Sequence, residues 1–538
     1  MSELNEDEIR ALAKAVNIEV KDSDITDISY SLNAMLQAID SIDPEGINAI
    51  EPLPIILPGG LMVMSDQELI FMSAADLATK MKEKQISPVE AVRAYLDRIT
   101  EVDGKINAYI TVLADQALAE AQQAESDINA GLIKGPLHGV PVGVKDQIYT
   151  KDIRTSSASK IRSDFVPDFD ATVVEGLKRS GAIILGKLNM TEFAMGDPIT
   201  SAFGVTHNPW DLTRNPGTSS TGSGAATASF MCATSLGEDT GGSVRGPASN
   251  CGLVGLRPSW GRVSRYGVDG ASWSLDTIGP ISRTVEDCAL TLSAIAGFDQ
   301  KDQYMKDVPV PDYCAALTGD IRGVKIGVVR EFLDPDVMGV TQPVRQGVLQ
   351  ATEVLATLGA EVEEISLPLA PVAGVASRII SAVERSSLHP EWLRNRPNEF
   401  HHNTRVAFIT GELIPSQVYY RAQKVRTLVR KQTLEALERF DVLVMPGASE
   451  PATVMNLEPG IRSKEAAVRA LTEASYRGFF SLVSGPALSI CCGYTAEGDN
   501  KLPLGIQIAG RPFDEAMVMN VAYAYEQNTN WHLERPSL

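Results

Sequence analysis

Short apolar runs alternate with longer stretches of helical spacing along most of this chain. Runs at residues 140–144, 182–185 and 233–236 predict buried strands, and the segments between them predict helices. This alternation predicts an α/β sandwich with a central mixed, largely parallel sheet covered by helices. A further strand–helix–strand unit, from 324–329 to 362–365, is expected to form a lobe inserted into the core or packed against it. Residues 440–446 predict another buried strand. Ser87-Pro88-Val89-Glu90 is a capping box with proline at the first helical position, opening a helix that extends to about residue 102. Residues 114–129 predict a second helix with a polar face. Residues 370–440 read as helical, and Ile379, Ile380, Val383, Trp392, Phe400, Phe408 and Ile409 are candidate pocket walls there, with plain core as the competing reading.

The first 60 residues have a different pattern. Ile9, Leu12, Ala13 and Val16 keep helical spacing, as do Ile25, Ile28, Leu32, Leu36 and Ile39, and Asp43-Pro44-Glu45-Gly46 stops the second helix. A proline- and glycine-bearing tether follows. The chain therefore divides into an N-terminal helical extension, residues 1–60, and a main domain, residues 66–538.

Composition narrows the functional classes. Hydrophobic residues make up 44% of the 538, enough for a large core, and the formal charge of −20 argues against a nucleic-acid or anionic-membrane surface. The acidic start lacks an apolar signal core, and no run of about 18 apolar residues suggests a membrane span. Six cysteines in a chain of this length imply reduced thiols and a cytoplasmic location. Cys491-Cys492 reads as buried packing, and no metal-ligand spacing is present.

The candidate chemistry lies between Asn215 and Arg257, where Gly/Ser clusters flank a run of small residues. In Asp239-Thr240-Gly241-Gly242-Ser243 the glycines permit a tight turn whose amides converge on one point, as an oxyanion requires, with Ser243 at the tip. A tight structural turn is the alternative. A serine nucleophile needs a base, yet none of the six histidines has a triad context and no G-x-S-x-G elbow occurs. Residues 139–146 offer another base, because they carry Lys145 on an apolar run and burial disfavours the charged amine. Ser219 and Ser220 could relay a proton between Lys145 and Ser243.

Lys145 in its G-V-K-D setting, the 217–223 cluster and D-T-G-G-S-V-R resemble the amidase signature family, which hydrolyses amides with a Ser–cis-Ser–Lys triad. The resemblance spans about residues 66–535 and includes Gly186-Lys187-Leu188-Asn189-Met190-Thr191-Glu192-Phe193, Gly261-Arg262-Val263-Ser264, Leu504-Gly505-Ile506-Gln507 and Gly510-Arg511-Pro512. It implies Ser243 as nucleophile, Ser219 as the bridging serine with a cis backbone, and Lys145 as base. It further implies an oxyanion hole at Thr240, Gly241, Gly242 and Ser243, with Asp239, Arg245 and Ser220 in support and no metal or organic cofactor. Gly217, Thr218 and Met195 are expected to touch substrate. Thr218 and Thr221 replace the family's glycines, which puts the local packing and the room for substrate in question. The D-P-E-G-I-N-A-I-E-P-L-P tether and the helices before it resemble the small C subunit of tRNA-dependent amidotransferases.

Three readings follow. The leading one is a stand-alone amide hydrolase for a small or aryl amide, urea or carbamate, working as a homodimer on a small-molecule amide and water, without nucleic acid or membrane. The second is the glutamine-hydrolysing A subunit of a tRNA-dependent amidotransferase, which needs separate small and tRNA-binding subunits. The third is a catalytically silent scaffold on the same fold, against which the intact Lys145, Ser219 and Ser243 weigh.

Overall fold

The capping box at Ser87 forms in the computed structural model, which describes residues 66–458, 475–495 and 501–538 together with Glu8, Arg10, Gly460 and Ser463. The Ser87 hydroxyl accepts from the amides of Val89 at 3.0 Å and Glu90 at 3.3 Å, and the Glu90 carboxylate accepts from the Ser87 amide at 3.4 Å. It starts α1, Pro88–Ile106, which outruns the expected end because its apolar face continues through Val102 and Ile106 before Asn107 closes it with φ 58°. The next helix, α2, spans Ala114–Asn129 as the pattern predicts. The extension at residues 1–60 lies outside the described residues.

In chain order the strands are β1 (Tyr109–Val112), β2 (Pro141–Lys145), β3 (Ile183–Leu188), β4 (Thr234–Asp239), β5 (Val254–Arg257), β6 (Thr277–Ser282), β7 (Lys325–Val329), β8 (Glu361–Ile365), β9 (Val442–Pro446), β10 (Ala487–Tyr494) and β11 (Pro503–Gly510). They form one 11-stranded sheet in the order β1-β3-β2-β4-β6-β5-β10-β11-β9-β7-β8. The sheet is mixed, as expected, but it is not largely parallel. Parallel pairing is confined to β3, β2 and β4 at one flank and to β8, β7 and β9 at the other. The centre, from β4 across to β9, pairs antiparallel, as does β1 with β3. Strands buried on both faces give continuous apolar runs whichever way they point, so the pattern does not distinguish the two. Nor is the 324–365 unit a separate lobe. Its strands β7 and β8 extend the same sheet, with β7 beside β9.

The small-residue run after Ser220 forms α3, Thr221–Ala228, every residue of it buried, and leads into β4. Helix α4, Arg245–Cys251, follows the turn after β4. The 370–440 region is helical as read, with α5 (Ala370–Ser386) and α6 (Ser416–Arg439) as its longest members. Among the described residues no helix is long and apolar enough to cross a membrane.

Close backbone approach explains why α3 is built from small residues. A Cβ on Gly222 would lie 2.3 Å from the Ala108 carbonyl oxygen and 2.5 Å from the Asn189 amide nitrogen, both unyielding backbone atoms. The substitution Gly222→Ala is therefore expected to destabilise the protein by about 1–3 kcal/mol, the usual cost of overpacking. It should also lower amide turnover by displacing Ser219 three residues earlier. A urea midpoint and turnover both equal to those of the parent protein would refute this account.

Candidate active site

Two adjacent parallel strands end side by side, β2 in Lys145 and β4 in Asp239, with Val144 paired to Leu236. The apolar residues of β2 carry Lys145 into the core, where the side chain is fully buried. Its Nζ lies 2.8 Å from Ser219 Oγ, 3.3 Å from the Glu238 carbonyl and 3.4 Å from Glu238 Oε2. The Thr218–Ser219 peptide bond is cis. Burial pulls the Lys145 ammonium below its ordinary pKa, and the adjacent Glu238 carboxylate works against that shift. Burial also pushes the Glu238 carboxyl up, reinforced by Asp276. Although the two groups are within ion-pair distance, both shifts favour neutral partners. Thr240 agrees with this: its Oγ1 lies 2.8 Å from Glu238 Oε1 and 2.7 Å from Asp276 Oδ1 but has one proton to donate, so the second contact needs a proton from a carboxyl.

Ser243 is half-buried on the turn after β4 and faces a cavity of about 600 Å³, together with Thr240, Gly241 and Gly242. The turn is clamped from below by Asp239. Its carboxylate accepts from the Gly242 amide at 2.8 Å and the Val244 amide at 3.2 Å, and pairs with Arg245 (Nη2 3.0 Å, Nε 3.1 Å) and Arg257 (Nη1 3.1 Å). Burial alone would raise the Asp239 pKa. The two guanidiniums outweigh it and hold the carboxyl well below the usual range. Arg245 continues to Gln507 Oε1 and Ser481 Oγ, which ties the turn to β11 and to a short helix at Gly478–Val483.

The expected site residues separate into groups. Lys145 and Ser219 are in hydrogen-bond contact, while no hydrogen bond joins Ser219 to Ser243. Ser220 does not extend this chain of contacts, because its hydroxyl is tied to the Glu238 backbone, 3.3 Å from the carbonyl and 3.4 Å from the amide. Of the four expected oxyanion-hole residues, Gly242 has its amide taken by Asp239, which accepts nothing from Gly241 or Ser243. Thr218 and Met195 line the cavity, and Gly217 does not. A Cβ on Gly217 would lie 2.5 Å from the Pro247 nitrogen, so that glycine packs against α4.

Of the seven apolar candidates in 370–440, only Phe408 reaches the cavity. Trp392, Phe400 and Phe408 cluster on Phe193, Ile380 is core, and Ile409 is exposed. The wall is instead the polar stripe of α5, Arg378, Ser381, Ala382 and Arg385. These positions have the i, i+3, i+4, i+7 spacing of one helix face, a signal present in the sequence but hidden when only apolar positions are followed. Arg477, also on the cavity, has no such marker. Residues 448–451 and 453 also line it.

The family model described as Amidase matches residues 90–519. The chain is 41% identical over 500 residues to the A subunit of glutamyl-tRNA(Gln) amidotransferase from Geobacter metallireducens, covering 88% of this chain and 100% of that one. Among solved structures, the A subunit of glutamyl-tRNA(Gln) amidotransferase from Thermotoga maritima is 30% identical with a TM-score of 0.69, covering 89% and 99% of the two chains. A chain from a vestigial protein complex tied to the origins of an s-triazine catabolic enzyme is also 30% identical, with a TM-score of 0.78 and coverage of 87% and 100%.

The Asp239 clamp makes a stability prediction. Asp239→Asn leaves Arg245 and Arg257 buried without their counter-charge and is expected to cost about 3–5 kcal/mol. Because the folded pKa is depressed, the carboxylate's contribution is fully present above the unfolded value. It is lost as pH falls below the ordinary carboxylate range. Urea unfolding of both proteins from pH 7 down to pH 3 should show their difference narrowing; a difference that widens on acidification would contradict the assignment.

Proposed function

The chain belongs to the amidase family, and on that footing we propose that it is the glutamine-hydrolysing A subunit of a tRNA-dependent amidotransferase. It is an amidase-type enzyme, acting on a carbon–nitrogen amide bond. What carries the narrower reading is the 41% identity along the entire length of the A subunit of a glutamyl-tRNA(Gln) amidotransferase. The same finding overturns the expectation of a self-sufficient hydrolase for a small or aryl amide. It also overturns the expected homodimer without nucleic acid, since these relatives are named as one subunit of an enzyme for glutamyl-tRNA. That expectation leans on a net charge of −20. A charge summed over one chain does not exclude a subunit whose tRNA contacts are made by its partner. Residues 1–60, with their resemblance to the small C subunit, would supply that subunit's part within the same chain. The free state of all six cysteines suits the cytoplasm, where the assembly would act.

In this mechanism Lys145 works as the neutral amine. The 2.8 Å contact with Ser219 then runs in the other sense, with the Ser219 hydroxyl donating to Nζ. Ser243 passes its proton to Ser219 as its Oγ attacks the carboxamide carbon of glutamine, after closing the gap that separates the two hydroxyls. The oxyanion is stabilised by the amides of Gly241 and Ser243, a contribution of about 10²–10³ in rate for each donor. The proton returns through Ser219 to the amide nitrogen and ammonia leaves. Water then cleaves the glutamyl ester on Ser243. Asp239 and Arg245 are positioning residues that hold the turn.

Ammonia release from glutamine by the purified chain should therefore rise strongly when tRNA and a tRNA-binding partner are added, with no separate small subunit required, and should vanish in Ser243→Ala. Serine-dependent cleavage of anilides or carbamates by the lone chain, with glutamine untouched in every mixture, would defeat this reading. Lys145→Ala is expected to lower kcat about 10²–10⁴-fold in a folded protein. Since the base must be neutral, activity should rise with pH through the Lys145 pKa. Once Glu238 ionises, its charge opposes the downward shift of Lys145; Glu238→Gln removes that charge, so this limb should move to lower pH. A limb that stays put or moves upward would refute the pairing.

A further inference from the structure

The cavity in front of Ser243 is strongly cationic for a pocket that receives a small amide. Among the described residues its charged lining comprises Arg378, Arg385 and Arg477, against a single carboxylate, Glu450, which is solvent-exposed. Among the described residues two of these arginines have no carboxylate within ion-pair distance, although Asp276 and Glu238 act on Arg385, and Asp239 on Arg477, from further away. Arg385 projects from α5 with Nη1 3.2 Å from Met195 Sδ, and its enclosed Nε has no hydrogen-bond partner among the described residues. Arg477 lies along the nucleophile turn: a Cβ on Gly242 would come within 2.5 Å of its Cβ and 3.0 Å of its Nε, and one on Gly246 within 3.3 Å of its Cζ. Its guanidinium donates to the Gly447 carbonyl, 3.1 Å from Nη1. Neither Arg385 nor Arg477 forms an ion pair among the described residues.

Both guanidiniums are half-buried, and partial withdrawal from water without a paired carboxylate carries a cost that a bound carboxylate would offset. Arginine's planar fork matches a carboxylate in two-point contact. The glycine at position 242, with φ 124°, is what lets the Arg477 stem lie flat on the turn. The same turn presents Ser243, so whatever Arg477 holds is held next to the reacting serine. Elsewhere the lining is dominated by hydroxyl and amide side chains such as Asn215, Asn250, Ser377 and Ser449, which suits a hydrophilic molecule.

We infer that Arg385 and Arg477 form a carboxylate subsite in the Ser243 pocket, so that the amide cleaved there carries an anionic group on its acyl side. This rests on the amide hydrolysis at Ser243 proposed above, and for glutamine the group would be the α-carboxylate. Among the described residues the pocket offers an ammonium group only Glu450, at its rim. Recognition is therefore expected to come from the anion, and glutaramate, which lacks the amine, should serve at least as well as glutamine.

The test compares kcat/KM for glutaramate with that for its neutral methyl ester, using the full chain with its partners, in the parent protein and in Arg385→Gln and Arg477→Gln. The parent should prefer the anion by about tenfold or more. Each variant should reduce that preference about tenfold, the loss of one charge-assisted hydrogen bond, with partial recovery in Arg477→Lys. Circular dichroism and thermal melting confirm that each variant is folded. Should a folded variant turn over neither substrate, calorimetric binding of glutarate decides: retained affinity overturns the subsite and lost affinity supports it. An unchanged preference in both folded variants also overturns it. Arginine-dependent cleavage of glutaramate with glutamine inert in every mixture would uphold the subsite and discard the amidotransferase reading. Glutamine hydrolysis indifferent to both arginines would do the reverse.

Discussion

The placement of Ser243 depends on the buried contact between the Asp239 carboxylate and its two guanidiniums. Asp239 ends β4, and in one side chain it satisfies the amides of Gly242 and Val244 while pairing with both Arg245 and Arg257. A glycine-rich turn has little conformational preference of its own. Here its shape is imposed from beneath by charge, in a setting where a half-satisfied network would be more costly than none. The site is therefore a turn on a clamped strand, with Lys145, the proposed base, arriving separately on the neighbouring strand.

Glu238 complicates the lysine's role. A fully buried amine next to a fully buried carboxyl could settle as an ion pair, which would take away the lone pair a base needs. The contacts favour the neutral arrangement instead. Asp276 stands across Thr240 from Glu238, and the one hydroxyl proton between them leaves a place for a second proton, which Glu238 can hold. The pair then shares a proton whose position sets the basicity of Lys145.

Much of this is legible in the sequence. Lys145, Ser219 and Ser243 stand out because their neighbours are glycines and small residues with no other reason to cluster. The strands are visible as apolar runs and α1 as a capping box. Strand direction is not legible, since an apolar run buried on both faces reads the same whether its partner is parallel or antiparallel. The engagement of the Gly242 amide by Asp239 depends on turn geometry that a motif does not carry. Arg385 escapes a reading of α5 by its apolar face, and Arg477 is brought to the turn across more than 230 residues of chain. Total charge misleads about the partners, because it stands in for a surface that another subunit can supply.

Arg245 reaches across that same distance. Its guanidinium donates to the Arg477 carbonyl, to Ser481 and to Gln507, near the end of a 538-residue chain. During synthesis the lysine, both serines and Asp239 are all in place while these anchors are still to be translated. A nascent or truncated chain ending before residue 477 carries every proposed reacting group, yet the turn that bears Ser243 lacks all three of these anchors. The order of translation thus separates possession of the proposed reacting groups from the bracing of the turn that presents Ser243, which is finished only when Gln507 has been added.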